Sequence, residues 1–239
     1  MSFERIIIVA KTALALICVV FTTNVALSQS RTENTVGPPK ERTNAFSLYG
    51  GMGVKLAADP ALVDYVNTLV HPSQRVDDFA TVVEFFGGVE FPVSNEWGGA
   101  IEYSYLFKSY TLPTFNAGTY TLFYNVHMPT LMVQYVLPGA GYFVKFGAGM
   151  GYHAGSISET NSLYGTDSTY TARGVGIKAA VLGQTAFDEH LFGYISGDLR
   201  WEFLGKVKNA AGNELWNQGQ TASLSMFVVG VAFGLIYYF

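Results

Sequence analysis

Residues Thr221 to Phe239 read TASLSMFVVGVAFGLIYYF, and they constrain the fold more than any other stretch of the chain. Counting back in twos from the end gives Phe239, Tyr237, Leu235, Phe233, Val231, Val229 and Phe227, all large and apolar. The other parity gives Tyr238, Ile236, Gly234, Ala232, Gly230, Val228 and Met226, which is smaller on average. A period of two is the signature of a strand, here with one bulky face and one small face. A soluble sheet more often sets an apolar face against a polar one. The bulky face therefore suits lipid, the small face suits a tight interior, and the remaining chain must supply partner strands.

Composition points the same way. Of 239 residues 49% are hydrophobic and only 13% are charged, with 26 Gly, 15 Tyr and 18 Phe. Yet beyond residue 30 no run approaches the roughly 18 consecutive apolar residues that a membrane helix needs. Apolarity diluted by alternation fits a transmembrane barrel.

Residues 1–28 read as a secretory signal peptide, with Arg5 at the charged start, an apolar stretch Thr12 to Phe21 and small residues in Ala26-Leu27-Ser28 before a cut at Gln29. The single cysteine, Cys18, falls inside it, so no disulfide or thiol chemistry is expected after cleavage. Without residues 1–28 the balance is 12 basic to 17 acidic residues, or −5, which argues against a nucleic-acid partner. Residues 29–44 are polar with a Pro-Pro pair and read as a flexible periplasmic lead-in; residues 45–239 read as the barrel.

Along that barrel the alternation predicts eight strands: Phe46 to Leu56, Phe79 to Phe91, Trp97 to Ser109, Thr119 to Leu137, Tyr142 to Ala154, Tyr170 to Gln184, Leu191 to Phe203 and the closing stretch. The first connection carries Asp59-Pro60, an N-cap with Pro at the first helical position, and predicts a short helix over Ala61 to Val70 with Leu62, Val63, Tyr65, Val66 and Leu69 as its apolar residues. In the fourth strand, Tyr124, Val126 and Met128 are placed outward, and a β-bulge at Pro129 is then needed to return Leu131, Val133 and Tyr135 to the lipid face. Gly155 to Thr169 and Gly205 to Gly219 are read as polar loops. Connections alternate long and short, with both ends on the short-turn side. The fold class expected is all-β: an eight-stranded antiparallel up-and-down transmembrane β-barrel in the outer membrane of a Gram-negative-type bacterium, with periplasmic termini.

Two stretches carry a resemblance to a known group. Val229 to Phe239 resembles the C-terminal signal that outer-membrane barrels present to the assembly machinery. Asn125 to Tyr135, followed by Tyr142 to Tyr152, resembles a strand-turn-strand pattern of the small outer-membrane β-barrel superfamily, the OmpA/OmpX-like proteins. The resemblance implies fold and location, with outer-membrane lipid and the barrel assembly machinery as partners and Phe233, Leu235, Tyr237 and Phe239 as the assembly signal. It does not assign an activity.

The inward parity collects Lys55, Glu84, Glu90, Glu102, Lys108, Lys145, Lys178, Asp198, Arg200 and Glu202. An eight-stranded barrel has room only for side chains to fill it, so these are expected as a mutually neutralising lumen network, with Arg200 flanked by Glu102 and Glu84. The four histidines, His71, His127, His153 and His190, sit at no metal-ligand spacing, so no metal and no cofactor are expected. His153, Ser156 and Glu159 invite comparison with the Ser-His-Glu set of outer-membrane lipid A deacylases, but strand parity turns His153 into the lumen. The expectation is a non-enzymatic barrel with a structural role or with loops that meet an extracellular partner or ligand. A narrow channel or receptor for a small, possibly hydrophobic, molecule is the alternative, and an outer-leaflet lipid A acyl hydrolase the second.

Overall fold

The structure, a computed structural model, describes residues 45–69, 75–77, 79–113, 119–139, 142–161 and 166–239. The expected signal peptide and lead-in lie outside them, as does Val70 at the end of the expected helix.

Alternating apolar residues pair as the periodicity predicts. Strands β1 (Ser47–Ala58), β2 (Phe79–Pro92), β3 (Trp97–Pro113), β4 (Thr119–Pro138), β5 (Tyr142–Asn161), β6 (Thr166–Ala186), β7 (Leu191–Phe203) and β10 (Phe227–Tyr238) close an antiparallel barrel in the order β1-β10-β7-β6-β5-β4-β3-β2. The closing strand joins the first: Ser47 lies opposite Tyr238 and Ala58 opposite Phe227. A short helix α1 (Pro60–Asn67) follows β1, and a two-residue-stranded hairpin, β8 (Trp216–Asn217) with β9 (Gln220–Thr221), lies between β7 and β10. Its turn places Gln218 at φ 48° and Gly219 at φ 85°, the doubly left-handed pair that matches strand twist in a tight hairpin. No helix among the described residues is long and apolar enough to cross a membrane.

Large apolar side chains face outward along all eight barrel strands, among them Leu48, Phe85, Ile101, Leu131, Phe146, Ile177, Ile195 and Leu235. Aromatic residues collect toward both borders of this belt. Trp97 meets Tyr135 at 5.2 Å and Phe46 meets Phe239 at 5.7 Å at the end that holds the turns, while Trp201 meets Phe227 at 5.0 Å and Tyr105 meets Phe107 at 5.6 Å toward the loops. An apolar band between two aromatic girdles is the exterior of a barrel solvated by lipid.

The structure differs from the sequence reading in three places. First, β4 has no bulge. Its register with β3 runs without a slip from Trp97↔Tyr135 to Pro113↔Thr119, and its register with β5 keeps one offset on both sides of Pro129. Tyr124, Val126 and Met128 are buried inside, and Asn125 and His127 face out. The bulge was needed only if the interior were polar along its whole height, and the loop half of it is apolar. Pro129, which cannot donate to a ladder, falls where the pairing of β4 with β5 is interrupted between His127 and Leu131, and its carbonyl comes so close to Gly151 that a Cβ there would have no room.

Second, the described residues of Gly155 to Thr169 are strand, not loop: β5 continues to Asn161 and β6 begins at Thr166, with buried Ile157 carrying the inward parity. Third, the closing strand begins at Phe227: Met226 still pairs with Glu202 of β7, but Thr221 pairs with Trp216, Ala222 N–H donates to Leu215 and Leu224 N–H to Gly205. Lys208 exchanges both backbone hydrogen bonds with Thr171 of β6, at 2.8 and 2.9 Å. The long strands β3 to β6 thus form a wall that rises past the other four, and α1 with residues 204–226 packs against its inner side.

Candidate functional site

The interior is the place where this chain concentrates polar chemistry, and glycines in the strands decide which charges meet. Lys55 of β1 lies opposite Gly230 of β10, and Gly230 lies opposite Asp198 of β7. A Cβ on Gly230 would stand 2.6 Å from the Lys55 side chain, so its absence lets Lys55 reach across the closing strand and pair with Asp198. Gly176 does the same between His153 and Glu202, whose Nδ1 and Oε2 lie 2.5 Å apart.

Around Lys55 and Asp198 a closed set forms. Lys55 Nζ is 3.2 Å from Glu84 Oε2, Arg200 Nη2 is 2.6 Å from Glu84 Oε1 and 3.1 Å from Glu102 Oε1, and Arg200 Nε donates to Asp198 Oδ2 at 3.2 Å. Lys178 Nζ donates to Glu102 Oε1 at 2.6 Å. Lys178 and Arg200 are direct cross-strand neighbours, a like-charge pair that is tolerable because Glu102 bridges both. Three cations thus face three carboxylates, all buried. Ser104 and Tyr49 hydroxyls complete the shell of Glu102, at 3.0 and 3.2 Å.

Glu90 and Lys145 stand apart from that set, near the turn end. Lys145 Nζ is 2.5 Å from Glu90 Oε2 and 3.1 Å from the Tyr238 hydroxyl, which donates to Gln184 at 2.7 Å; Ser47 donates to Glu90 at 3.0 Å. Lys108 keeps the inward parity but makes no ion pair among the described residues. Half-buried, its ammonium lies 5.6 Å from the Tyr110 ring centre. Phe233, Leu235, Tyr237 and Phe239 are all exposed on the outer face of β10.

Two apolar clusters enclose the charged layer. Toward the turns, Tyr49, Phe86, Phe143, Phe192, Tyr194 and Ile236 pack together. Toward the loops, Leu106, Leu122, Tyr124, Val126, Ile157 and Leu224 form the second cluster, closed from above by Leu62, Tyr65 and Val66 of α1. Parity places Tyr49, Phe86, Phe143, Phe192, Tyr194 and Ile236 inside, but it sets Tyr124 and Val126 outward as long as the interior is held polar throughout; the change from polar to apolar with height has no signal in the alternation.

The α1 lid is tied to the wall through Tyr65, whose acceptor Glu159 on β5 is shared with Tyr120 of β4. Tyr65 donates to Glu159 Oε1 at 2.6 Å, and Tyr120 donates to the same oxygen. Burial, with the Glu159 carboxylate beside it, pushes the Tyr65 phenol far up, so it stays a donor. Asp59 caps the helix by accepting from Leu62 N–H at 3.1 Å, while its other oxygen has no partner. Burial pushes the Asp59 carboxyl up to about 8. A carboxyl raised on folding stabilises the closed lid below its unfolded value, and that contribution fades as pH rises through about 8. Amide exchange over Leu62 to Asn67, corrected for intrinsic rates, should therefore be slower at acidic than at alkaline pH. Asp59→Asn, which keeps the capping acceptor, should flatten the dependence; an unchanged slope in that variant would remove Asp59 from the account.

His153, Ser156 and Glu159 are not brought together. His153 pairs with Glu202 and lies 3.3 Å from Thr130 Oγ1, Ser156 faces outward and donates to Asn125 at 3.1 Å, and Glu159 accepts from Tyr65 of the lid and Tyr120 of β4. Among the described residues no group of three or more His, Cys, Asp or Glu side chains is arranged to hold a metal ion.

No protein-family model matches the chain, and no curated protein matches its sequence. Solved structures do match. Neisserial surface protein A is 12% identical, covering 81% of this chain and 97% of its own at a TM-score of 0.47. A major outer membrane protein from Thermus thermophilus is 12% identical, covering 82% and 100% at 0.49. The attachment invasion locus protein of Yersinia pestis, solved with a heparin analogue, is 12% identical, covering 82% and 99% at 0.46. This is a likeness of fold. The structural neighbours are outer-membrane β-barrels, the group that the sequence resembles, while the architecture of this chain rests on its own strand pairing.

Proposed function

We propose that this chain is a non-conducting, non-enzymatic barrel of the outer membrane, with a structural role or one exercised through its loop end. The observation that carries the reading is the balanced ionic layer of Lys55, Lys178 and Arg200 with Glu84, Glu102 and Asp198, sealed between two apolar clusters. Charges taken out of water cost several kcal/mol each by rough estimate unless they are paired and hydrogen-bonded, so such a layer resists opening to an aqueous path. Planar-bilayer recordings test the reading. The reconstituted protein should add no unitary conductance above the bare membrane, and a stable ohmic pore would overturn it in favour of a channel.

In this reading the termini and the short connections after β2, β4 and β6 face the periplasm, and α1 and residues 204–226 face outward. The barrel assembly machinery would meet β10 through Phe233, Leu235, Tyr237 and Phe239, whose side chains are free on the outer face. Phe239 adds little to the interior, since its ring touches Tyr237 at 5.3 Å and Phe46 at 5.7 Å on the outside. Deleting it should lower the amount of protein reaching the membrane in cells while leaving refolding into detergent unchanged. Equal losses in both settings would make Phe239 a stability residue instead.

A further inference from the structure

The outer face of the barrel carries a polar interruption. On the outward parity of the eight barrel strands, among the described residues, the acidic, basic and imidazole side chains number only three: His127, Arg173 and Asp167. Asp167 lies far up β6, about 20 Å from Arg173 at roughly 3.3 Å per residue. His127 and Arg173, in contrast, are in one row. His127 of β4 lies opposite Ala154 of β5, and Ala154 lies opposite Arg173 of β6. The small Ala154 leaves a shallow gap between two nitrogen-bearing side chains whose backbones are roughly 10 Å apart, two strand spacings.

The row has a definite height. Counting along β5 from Tyr142 in the lower girdle to Ala154, at about 3.3 Å per residue and a tilt of about 40°, the row stands roughly 30 Å up the barrel axis, just past a belt of about 25 Å. Neighbouring side chains agree. The Tyr105 ring lies 5.0 Å from the His127 ring, tilted by 48°, and exposed Tyr152 and Val175 lie one outward position below Ala154 and Arg173. One outward position above, Asn125, Ser156 and Thr171 replace the apolar residues. The gap therefore opens at the boundary between hydrocarbon and headgroups.

Its chemistry is that of an anion site. Arg173 makes no ion pair among the described residues, and a guanidinium at a lipid boundary calls for a counter-charge. The Tyr103 hydroxyl lies 2.5 Å from His127 Nδ1; with that hydroxyl donating, Nε2 carries the proton and is free to donate outward. Lys208, the bridge partner of Thr171, brings a further cation to the same face, with Glu214 4.0 Å from it. Arginine forks match phosphate oxygens in pairs.

We propose that Arg173 and His127 bind the phosphate of a membrane lipid headgroup in the leaflet at the loop end, seated over Ala154. The proposal rests on the membrane reading above. A lipid is favoured over free phosphate because hydrocarbon-facing residues lie directly beneath the gap and leave room for acyl chains.

The test uses the full barrel in nanodiscs of digalactosyldiacylglycerol, a bilayer lipid without phosphate, doped with diphosphoryl lipid A or with the same glycolipid dephosphorylated, with retained lipid read by native mass spectrometry. The wild type should prefer the phosphorylated form, and Arg173→Gln should weaken that retention by about tenfold, the scale of one charge-assisted hydrogen bond. His127→Gln should weaken it less. Both side chains lie outside the lumen, so gel mobility shifts on heating should match the wild type. Equal retention of both lipids by wild type and Arg173→Gln would overturn the proposal and leave the membrane reading standing. Displacement by millimolar inorganic phosphate would assign the site to the free ion and overturn the lipid. Failure of the wild type to enter nanodiscs would overturn both.

Discussion

Arg200→Met should destabilise the barrel by about 3–5 kcal/mol, the cost of leaving buried charges without their partner. Arg200 is shared by three carboxylates: Glu84 at 2.6 Å, Glu102 at 3.1 Å and Asp198 at 3.2 Å. Methionine keeps the aliphatic stem but leaves the space of the buried guanidinium, 3.4 Å from the Met128 sulfur, unfilled, so the loss combines packing with charge and a second variant is needed to separate them. Two cations would then face three carboxylates. Adding Glu84→Gln restores equal numbers, Lys55 and Lys178 against Glu102 and Asp198, and should recover a substantial part of the loss. The measurement is the urea midpoint of folding into lipid vesicles. A double variant no more stable than Arg200→Met would show that shape, not charge balance, holds the layer together.

This result would also locate what was legible in the sequence. Parity gave the inward direction of Lys55, Glu84, Glu102, Lys178, Asp198 and Arg200, because in a strand direction follows position with a period of two. It could not give the partners. Those depend on strand register and on which intervening residue is small, as Gly230 is between Lys55 and Asp198. The false bulge at Pro129 has a related origin. A uniformly polar lumen requires Tyr124, Val126 and Met128 to face lipid and Asn125 and His127 to face inward. In the structure one unbroken strand crosses two interiors, charged below and apolar above, and the apolar part exists because α1 and residues 204–226 cover it. Contacts with such a cover are made across long sequence separations, which no local period records. The strand ends were misplaced for a simpler reason: Ser and Thr in Gly155 to Thr169 read as loop residues, yet they suit a strand whose outer face meets water.

Gly234→Val should abolish the folded, heat-modifiable form, because it strikes the seam that closes the barrel. Gly234 of β10 lies opposite Gly51 of β1. A Cβ there would stand 3.0 Å from the Gly51 Cα and closer still to the Gly50 carbonyl oxygen, while one on Gly51 would stand 2.7 Å from the Gly234 Cα. These are backbone atoms, so no rotamer relieves the overlap. Overpacking in a close-packed interior costs typically about 1–3 kcal/mol, and rigid neighbours put this case at the upper end or beyond. The strand could escape by slipping, but a slip of one residue would turn Phe233, Leu235 and Tyr237 into the lumen and Ala232 and Gly234 to lipid. A slip of two keeps the faces yet moves Gly230 from between Lys55 and Asp198, which breaks the ion pair it permits. Gly87→Ala on β2 is the control, since a Cβ there meets only the Tyr49 carbonyl at 3.4 Å. It should fold with wild-type mobility. A normally folded Gly234→Val would mean that β1 and β10 are not closed in this register, and the small face of the closing strand would need another explanation.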